Sequence, residues 1–371
     1  MSTYSINKTD WIKFLVGLFS EYDLYSPKGV EGGWAYQLLT KDNIAQISYE
    51  NYKYCSIDPV KIFFSPVKET VTDNEEEGVS SKSSKKRVII GLKSCDLAAL
   101  SILDRVFLSE DFIDPFYKEK RENTILISSD CLDAKESCFC TEVGGSPFPE
   151  KDSGVTYDSD YKSSIISKGS LFQGQNFDLN LTLLLDNEFL VEVGSEKGKG
   201  LIGANKTLFS EAKEEAVQKR EEKREGMKAK VKERNKVFSP KVVESFQDII
   251  KAKDDSILWK ELSEDCVECG ACTNICPTCH CFLLIDSAQK EKFFKDKTWD
   301  SCQFNGFSRM AGGADPRDEL WKRFRNRYLC KYSYKPENFG LLACTGCGRC
   351  IDACQGKIDK REVLNKVTSS Q

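Results

Sequence analysis

The chain has 371 residues, a formal net charge of −4 and seventeen cysteines. That length accommodates two domains with their own cores, and 54 basic against 58 acidic residues exclude a basic nucleic-acid footprint or a polycationic membrane patch. No apolar run approaches the roughly 20 residues that cross a bilayer, and the N-terminus shows neither a basic n-region nor a small-residue cleavage site. A soluble, cytoplasmic protein without membrane insertion is therefore expected.

In chain order, "WIKFLVGLFSEY" has the spacing of an amphipathic helix, and "YSPKGVEGGW" carries turn signals. The stretch Thr72–Arg87, "TDNEEEGVSSKSSKKR", is polar and low in complexity, as in a surface insertion. "RVIIGL" reads as a buried strand leading into the helical pattern "SCDLAALSILDRVF", and "TILISS" as a second buried strand. "FDLNLTLLLDNEFLVEVGS" holds strand-like segments. Strands alternating with helices predict an α/β layer to about residue 203.

From Leu208 to Lys236 the composition turns to Glu, Lys, Arg and Ala, predicting an exposed helix laced with i,i+4 charge pairs. "SPKVVESFQDII" predicts another helix, with Ser239 as N-cap, Pro240 at its first turn and a buried face of Val242, Val243, Phe246, Ile249 and Ile250. The expected class is α+β. It comprises a mixed α/β N-terminal domain (1–205), a charged helical connector (206–262) and a helix-rich two-cluster, ferredoxin-like domain (263–371).

Seventeen cysteines grouped at short spacings in a chain without a secretory signal point to metal rather than disulfides. Cys266, Cys269, Cys272 and Cys276 are spaced C-x2-C-x2-C-x3-C, and Cys344, Cys347, Cys350 and Cys354 repeat that spacing. This is the bacterial ferredoxin pattern, in which three cysteines on one loop reach three corners of a cubane and the fourth ligates the other cluster. The expected sets are Cys266, Cys269, Cys272 and Cys354 for one [4Fe–4S] cluster, and Cys344, Cys347, Cys350 and Cys276 for the other. Pro277 follows the first motif, whereas Gln355 stands where proline is usual in the second. Zinc is the alternative, although three evenly spaced cysteines plus a fourth are rare in zinc sites. "CPTCH" (Cys276 to His280) also matches covalent haem attachment, which would take Cys276 from its cluster and make His280, the only histidine, an axial ligand.

"CVECGACTNICPTCHCF", "WDSCQF", "AGGADPR" and "CTGCGRC", with "DPVKIFFSP", "GLKSCDLAAL", "CFCTEVGGSPF" and "FLVEVGSEKG", resemble the iron–sulfur subunit family that includes the A-type subunit of anaerobic sulfite reductase and the beta subunit of cytosolic sulfhydrogenases. The resemblance spans nearly the whole chain and keeps motif order. It implies an electron-transfer subunit of a multisubunit oxidoreductase. Such a subunit relays electrons between a flavin/NAD(P)-binding subunit and a catalytic or further iron–sulfur subunit, without performing the terminal reaction. Ala314 and Cys330 stand where histidine is common in that family, which marks a divergent member.

Cys95, Cys131, Cys138 and Cys140 form a candidate third site, for a further [4Fe–4S] cluster ahead of a structural zinc, with Cys95 at a strand-to-helix turn that stabilises a thiolate. The alternative is buried structural thiols. Cys279, Cys281 and Cys302 are either small apolar residues lining the first cluster or additional ligands, for which Cys330 could supply the fourth thiol. Cys55 reads as a lone core or surface thiol. "GKGLIG" (Gly198 to Gly203) satisfies a dinucleotide fingerprint, but its acidic partner falls in a charged helix, and a polar connecting loop is the plainer reading. The basic run containing Arg309, Arg317, Lys322, Arg323, Arg325 and Arg327 reads as a docking face or as donors beside anionic cluster sulfurs rather than a nucleic-acid site. No nucleophile–base pair is visible. The competing functions are a stand-alone flavin/NAD(P)-dependent reductase and a structural-zinc interaction protein.

Overall fold

The computed structural model describes residues 2–73, 86–109, 112–150, 177–185, 188–238, 246–253, 257–290 and 292–369. The class is α+β, a mixed sheet in the N-terminal half and a helix-rich C-terminal region. Strand β1 (Thr3–Asn7) runs into helix α1 (Lys8–Leu18), where the Asn7 side chain accepts from Asp10 N at 2.9 Å. Helix α1 buries Trp11, Phe14, Leu15 and Leu18, an i, i+3, i+4, i+7 stripe. Strands β2 (Asp23–Val30) and β3 (Gly33–Leu38) form an antiparallel hairpin, so "YSPKGVEGGW" lies largely in strands rather than in a turn. Pairing of β2 with the sheet interior stops at Tyr25, before Pro27, which has no N–H for a central ladder.

Strand β4 (Lys68–Asp73) precedes β5 (Arg87–Leu92), α2 (Ser94–Phe107), a two-residue pair β6 (Leu108–Ser109) and β7 (Phe112–Ile113), α3 (Pro115–Glu122) and β8 (Thr124–Ser129). Strands β9 (Leu179–Leu185) and β10 (Glu188–Val193) form a hairpin, followed by α4 (Glu196–Ala204) and β11 (Ser210–Glu211). The main sheet runs β11-β1-β10-β9-β8-β5-β2-β3, parallel from β2 through β5 and β8 to β9. Strands β5 and β8 are covered on both faces, which explains their uninterrupted apolar runs. One face packs with α1 around Trp11, Leu15, Val88 and Ile127; the other packs with α2 around Ile89, Leu97, Leu103 and Tyr117.

Helix α5 (Glu214–Asn235) has the expected composition but not the expected exposure. Lys219 and Glu215 pair at 2.8 Å on its outer face, whereas Arg220 and Arg224 are buried. Arg224 Nε meets Asp130 Oδ2 at 2.8 Å and its guanidinium also pairs with Glu192; Arg220 reaches Glu192 Oε1 at 3.0 Å. The sheet supplies carboxylates at positions that composition cannot reveal, and α5 docks on them.

Beyond α5 come α6 (Phe246–Ala252), α7 (Leu258–Leu262), α8 (Ala271–Asn274), the hairpin β12 (Phe282–Gln289) and β13 (Lys292–Trp299), and α9 (Leu320–Leu329). A π turn (Cys330–Tyr334), α10 (Lys335–Phe339), α11 (Arg349–Asp352) and α12 (Lys360–Ser369) complete the chain. Ile250 is fully buried, as expected of α6, while Ser239, Pro240, Val242, Val243 and residues 74–85 lie outside the described residues. Contacts cross the expected domain limits: β13 pairs with β4, and Phe139 and Val143 join the core of Trp259, Tyr328 and Leu364.

Candidate metal centres

Two loops of near-identical backbone carry the ferredoxin motifs. Gly270 (φ +69°) precedes α8 and Gly348 (φ +77°) precedes α11, each turning the chain so that a short helix follows the loop. Two positions earlier in each loop, Glu268 (φ +53°) and Gly346 (φ +62°) also occupy the left-handed region. The residue types differ because their neighbours differ. Glu268 is partly exposed and its carboxylate accepts from Arg323 Nε at 3.0 Å, while a Cβ at Gly346 would lie 2.5 Å from Cys140 N. Phe139 N donates to Gly346 O at 2.8 Å, so the second motif is clamped onto the Cys138–Cys140 loop. Gly346→Ala is therefore expected to destabilise the chain by at least about 2 kcal/mol and to lower iron content; urea unfolding and iron analysis check it.

The fold brings the two motifs together crosswise. The Cys266 thiol has Cys354 and Cys269 as charge neighbours, and Cys347 has Cys350 and Cys276. Each fourth cysteine thus lies beside the other motif. Cys269 is exposed, placing the first motif nearer the surface. Burial pushes Cys272 up to about 11 and Cys347 up to about 12. Such thiols keep their protons until a metal displaces them. Arg327, buried, stands beside Cys272, Cys350 and Cys276. Three other members of the basic run are engaged locally: Lys322 pairs with Asp318 at 2.7 Å, Arg317 donates to Asn326 Oδ1 at 3.0 Å, and Arg325 stacks 5.1 Å from the Trp321 ring, while Arg323 holds Glu268 of the first ferredoxin loop.

The N-terminal cysteines gather at the carboxyl ends of parallel strands β5 and β8, where open α/β sheets commonly place ligands. Cys95 follows β5 at the start of α2, and Cys131 follows β8. Together with Cys138, Cys140 and Cys55 they line one small cavity that also touches Lys93, Gly346 and Cys347. Cys55 has no spacing signal and joins the group only through the fold. Its thiol and that of Cys138 each lie 3.9 Å from the Cys347 carbonyl oxygen, so this centre abuts the second motif. Burial pushes Cys131 up to about 12. Two buried cations flank the cavity. Lys93 donates to Ser129 Oγ at 2.9 Å and to Asp130 O at 3.0 Å. Arg349 pairs with Asp96 at 2.8 Å and donates to Ser56 O at 2.7 Å, joining α11 to α2.

His280 is half-buried, and desolvation with the nearby Lys335 and Lys331 charges lowers it to about 3. Lys335 Nζ donates to its Nε2 at 2.9 Å, and its Nδ1 lies 3.2 Å from Thr278 O, so both ring nitrogens are engaged. "GKGLIG" is neither a phosphate loop nor a connecting loop. It lies inside α4, whose N-cap Ser195 Oγ accepts from Gly198 N at 3.1 Å. Gly198 is needed for close packing, since a Cβ there would lie 2.0 Å from Asp178 O.

Residues 265–358 match the family model of a 4Fe-4S dicluster domain. The beta subunit of sulfhydrogenase 2 from Pyrococcus furiosus is 30% identical over 348 residues, covering 93% of this chain and 92% of that protein. No solved structure matches.

Proposed function

Because the chain belongs to the iron–sulfur subunit family of sulfhydrogenase beta subunits and carries at least two [4Fe–4S] clusters, we propose that it is the internal relay of a cytoplasmic oxidoreductase complex. In this reading it conducts electrons between a flavin/NAD(P)-binding subunit and a catalytic subunit such as a hydrogenase or sulfite reductase. The observation that carries the reading is the crosswise approach of Cys354 to Cys266 and of Cys276 to Cys347. The proposed ligands are Cys266, Cys269, Cys272 and Cys354 for one cluster and Cys344, Cys347, Cys350 and Cys276 for the other. A third centre draws on Cys95, Cys131, Cys138 and Cys140, with Cys55 as a fifth thiol beside them. The proposed organisation is an α/β domain over 1–205, a connector over 206–262 and the dicluster domain over 263–371.

Each cluster, when bound, takes up and gives back one electron. The chain's own residues set how readily that happens. Arg327 places a positive charge between the two motifs and Lys93 faces the N-terminal cavity, both favouring the more negative reduced form, whereas the Arg349 charge is answered by Asp96. Contact of Cys55 and Cys138 with the Cys347 carbonyl gives a short path from that cavity to the dicluster. The glycine fingerprint lies within helix α4 rather than in a loop before it, which argues against a self-contained dinucleotide reductase. Among the described residues, no helix is long and apolar enough to cross a membrane.

Iron and acid-labile sulfide per chain on anaerobically purified protein test the reading. At least about eight of each are required, with interacting-spin EPR signals after reduction, and Cys95→Ser is expected to remove about four more. Zinc without sulfide would sink the relay.

A further inference from the structure

The relay leaves Cys279, Cys281, Cys302 and Cys330 unassigned, together with three buried lysines and a π turn. We infer that these four cysteines form a further [4Fe–4S] site, at the root of the β12–β13 hairpin, next to the dicluster. The inference rests on the iron–sulfur reading of the chain.

Three independent features build the site. The first is strand register. Phe282 pairs with Trp299, and Asp300 N donates to Cys281 O at 3.0 Å, extending the ladder one step past the strands. That closure carries the Cys302 thiol into hydrogen-bonding reach of the Cys281 thiol. Cys279 lies two residues before Cys281, on the segment that also bears Cys276, and its thiol is next to that of Cys276.

The second feature is the π turn, which opens at Cys330 and closes where Lys335 N donates to Cys330 O. Such turns shift the helical phase by about one residue and occur often at functional sites. Here the turn is pinned to the cysteine loop at two points. Lys331 Nζ donates to Thr278 Oγ1 at 2.7 Å, and Lys335 Nζ donates to His280 Nε2 at 2.9 Å. Cys330 is thereby a neighbour of Cys281, and both Lys331 and Lys335 face Cys279 and Cys330.

The third feature is charge. Lys61, Lys331 and Lys335 are all buried. Lys61 donates to Thr273 O at 3.2 Å and Cys279 O at 3.0 Å and lies 4.0 Å from the Trp299 ring centroid. Among the described residues none of the three pairs with a carboxylate. Buried ammonium groups without an anionic partner are strongly disfavoured. Four thiolates around an iron–sulfur cube supply that anion. Among the described residues no three or more His, Cys, Asp or Glu side chains are placed to hold a single metal ion. This holds equally for the dicluster motifs, as expected where sulfurs sit at the corners of a larger group.

The site's position gives it a use. Cys279 touches the dicluster ligand loop, while Cys281 opens onto Phe282, Leu283, Leu284 and Ile285, four consecutive exposed apolar residues. One electron received from the dicluster is passed on singly toward the redox centre of a partner subunit on that side.

The test is the cluster count of the full chain by native mass spectrometry with iron and sulfide analysis, in wild type, Cys281→Ser/Cys302→Ser and Cys95→Ser. The expected result is that the hairpin double variant loses about four iron and four sulfide per chain while the interacting-spin dicluster signal persists. Cys95→Ser should lose its own four independently. Unchanged iron in the double variant, one zinc in place of the cluster, or a Cys281–Cys302 disulfide in the native chain overturns the inference and leaves the relay standing. Absence of labile sulfide from wild type overturns both. If the double variant loses all iron with its fold, Cys330→His decides: a retained count with altered EPR g-values of one cluster supports the site, and an unaltered spectrum overturns it.

Discussion

Cys354→Ala is expected to abolish the cluster bound by the opposite motif, leaving the loop that carries Cys354 able to hold its own. About four iron and four sulfide per chain should be lost, the interacting-spin signal should collapse to that of an isolated cluster, and electron throughput of the complex should fall by on the order of a hundredfold or more. The reason is geometric: Cys354 emerges from α11 toward Cys266, and Ile358 N donates to its sulfur at 3.3 Å, fixing its direction. The pairing is checked by spectra. Cys354→Ala should match Cys269→Ala, and Cys276→Ala should match Cys347→Ala. If Cys354→Ala instead matched Cys347→Ala, the crossing would be wrong.

Arg224→Ala is expected to be the most destabilising change away from the cysteines, at about 3–5 kcal/mol. Arg224 neutralises Asp130 and Glu192 in a region where all three side chains are almost completely shielded. Asn180 and Thr182 contribute hydrogen bonds to Asp130 at 2.9 and 2.6 Å, but no charge. Removing the guanidinium takes from buried Asp130 its ion pair and leaves Glu192 paired with Arg220. Because Asp130 precedes Cys131, iron at the N-terminal cavity should fall as well. Urea unfolding of the variant beside Lys219→Ala measures this. The latter removes only the exposed pair with Glu215 and should leave the midpoint unmoved. Equal midpoints for the two variants would show that the buried network is dispensable.

Much of the fold can be read from local pattern. Strands β5 and β8 announce themselves as apolar runs because both faces are covered, and α1 and α2 show their buried stripes. Helix α5 is legible as a helix but not as a docked one, since its composition is charged all round and only the placement of Asp130 and Glu192 selects which arginines turn inward. The fingerprint in α4 misleads for a related reason. Glycine serves close helix–strand packing at Gly198 as readily as it serves a phosphate turn, and spacing alone does not distinguish the two.

The cysteines divide along the same line. Sequence by itself determines the two ferredoxin motifs, because three cysteines on one short loop must face a common object whatever the rest of the chain does. The structure alone decides that Cys55 joins Cys95, Cys131, Cys138 and Cys140, and that Cys330 joins Cys279, Cys281 and Cys302. Those partners are separated by tens of residues, so their meeting depends on the order of parallel strands, the hairpin register and the π turn. The cations facing them, Lys61, Lys93, Lys331 and Arg349, are likewise ordinary in sequence. Only tertiary burial, which strips away water and leaves charge to be answered by charge, sets them beside the thiols.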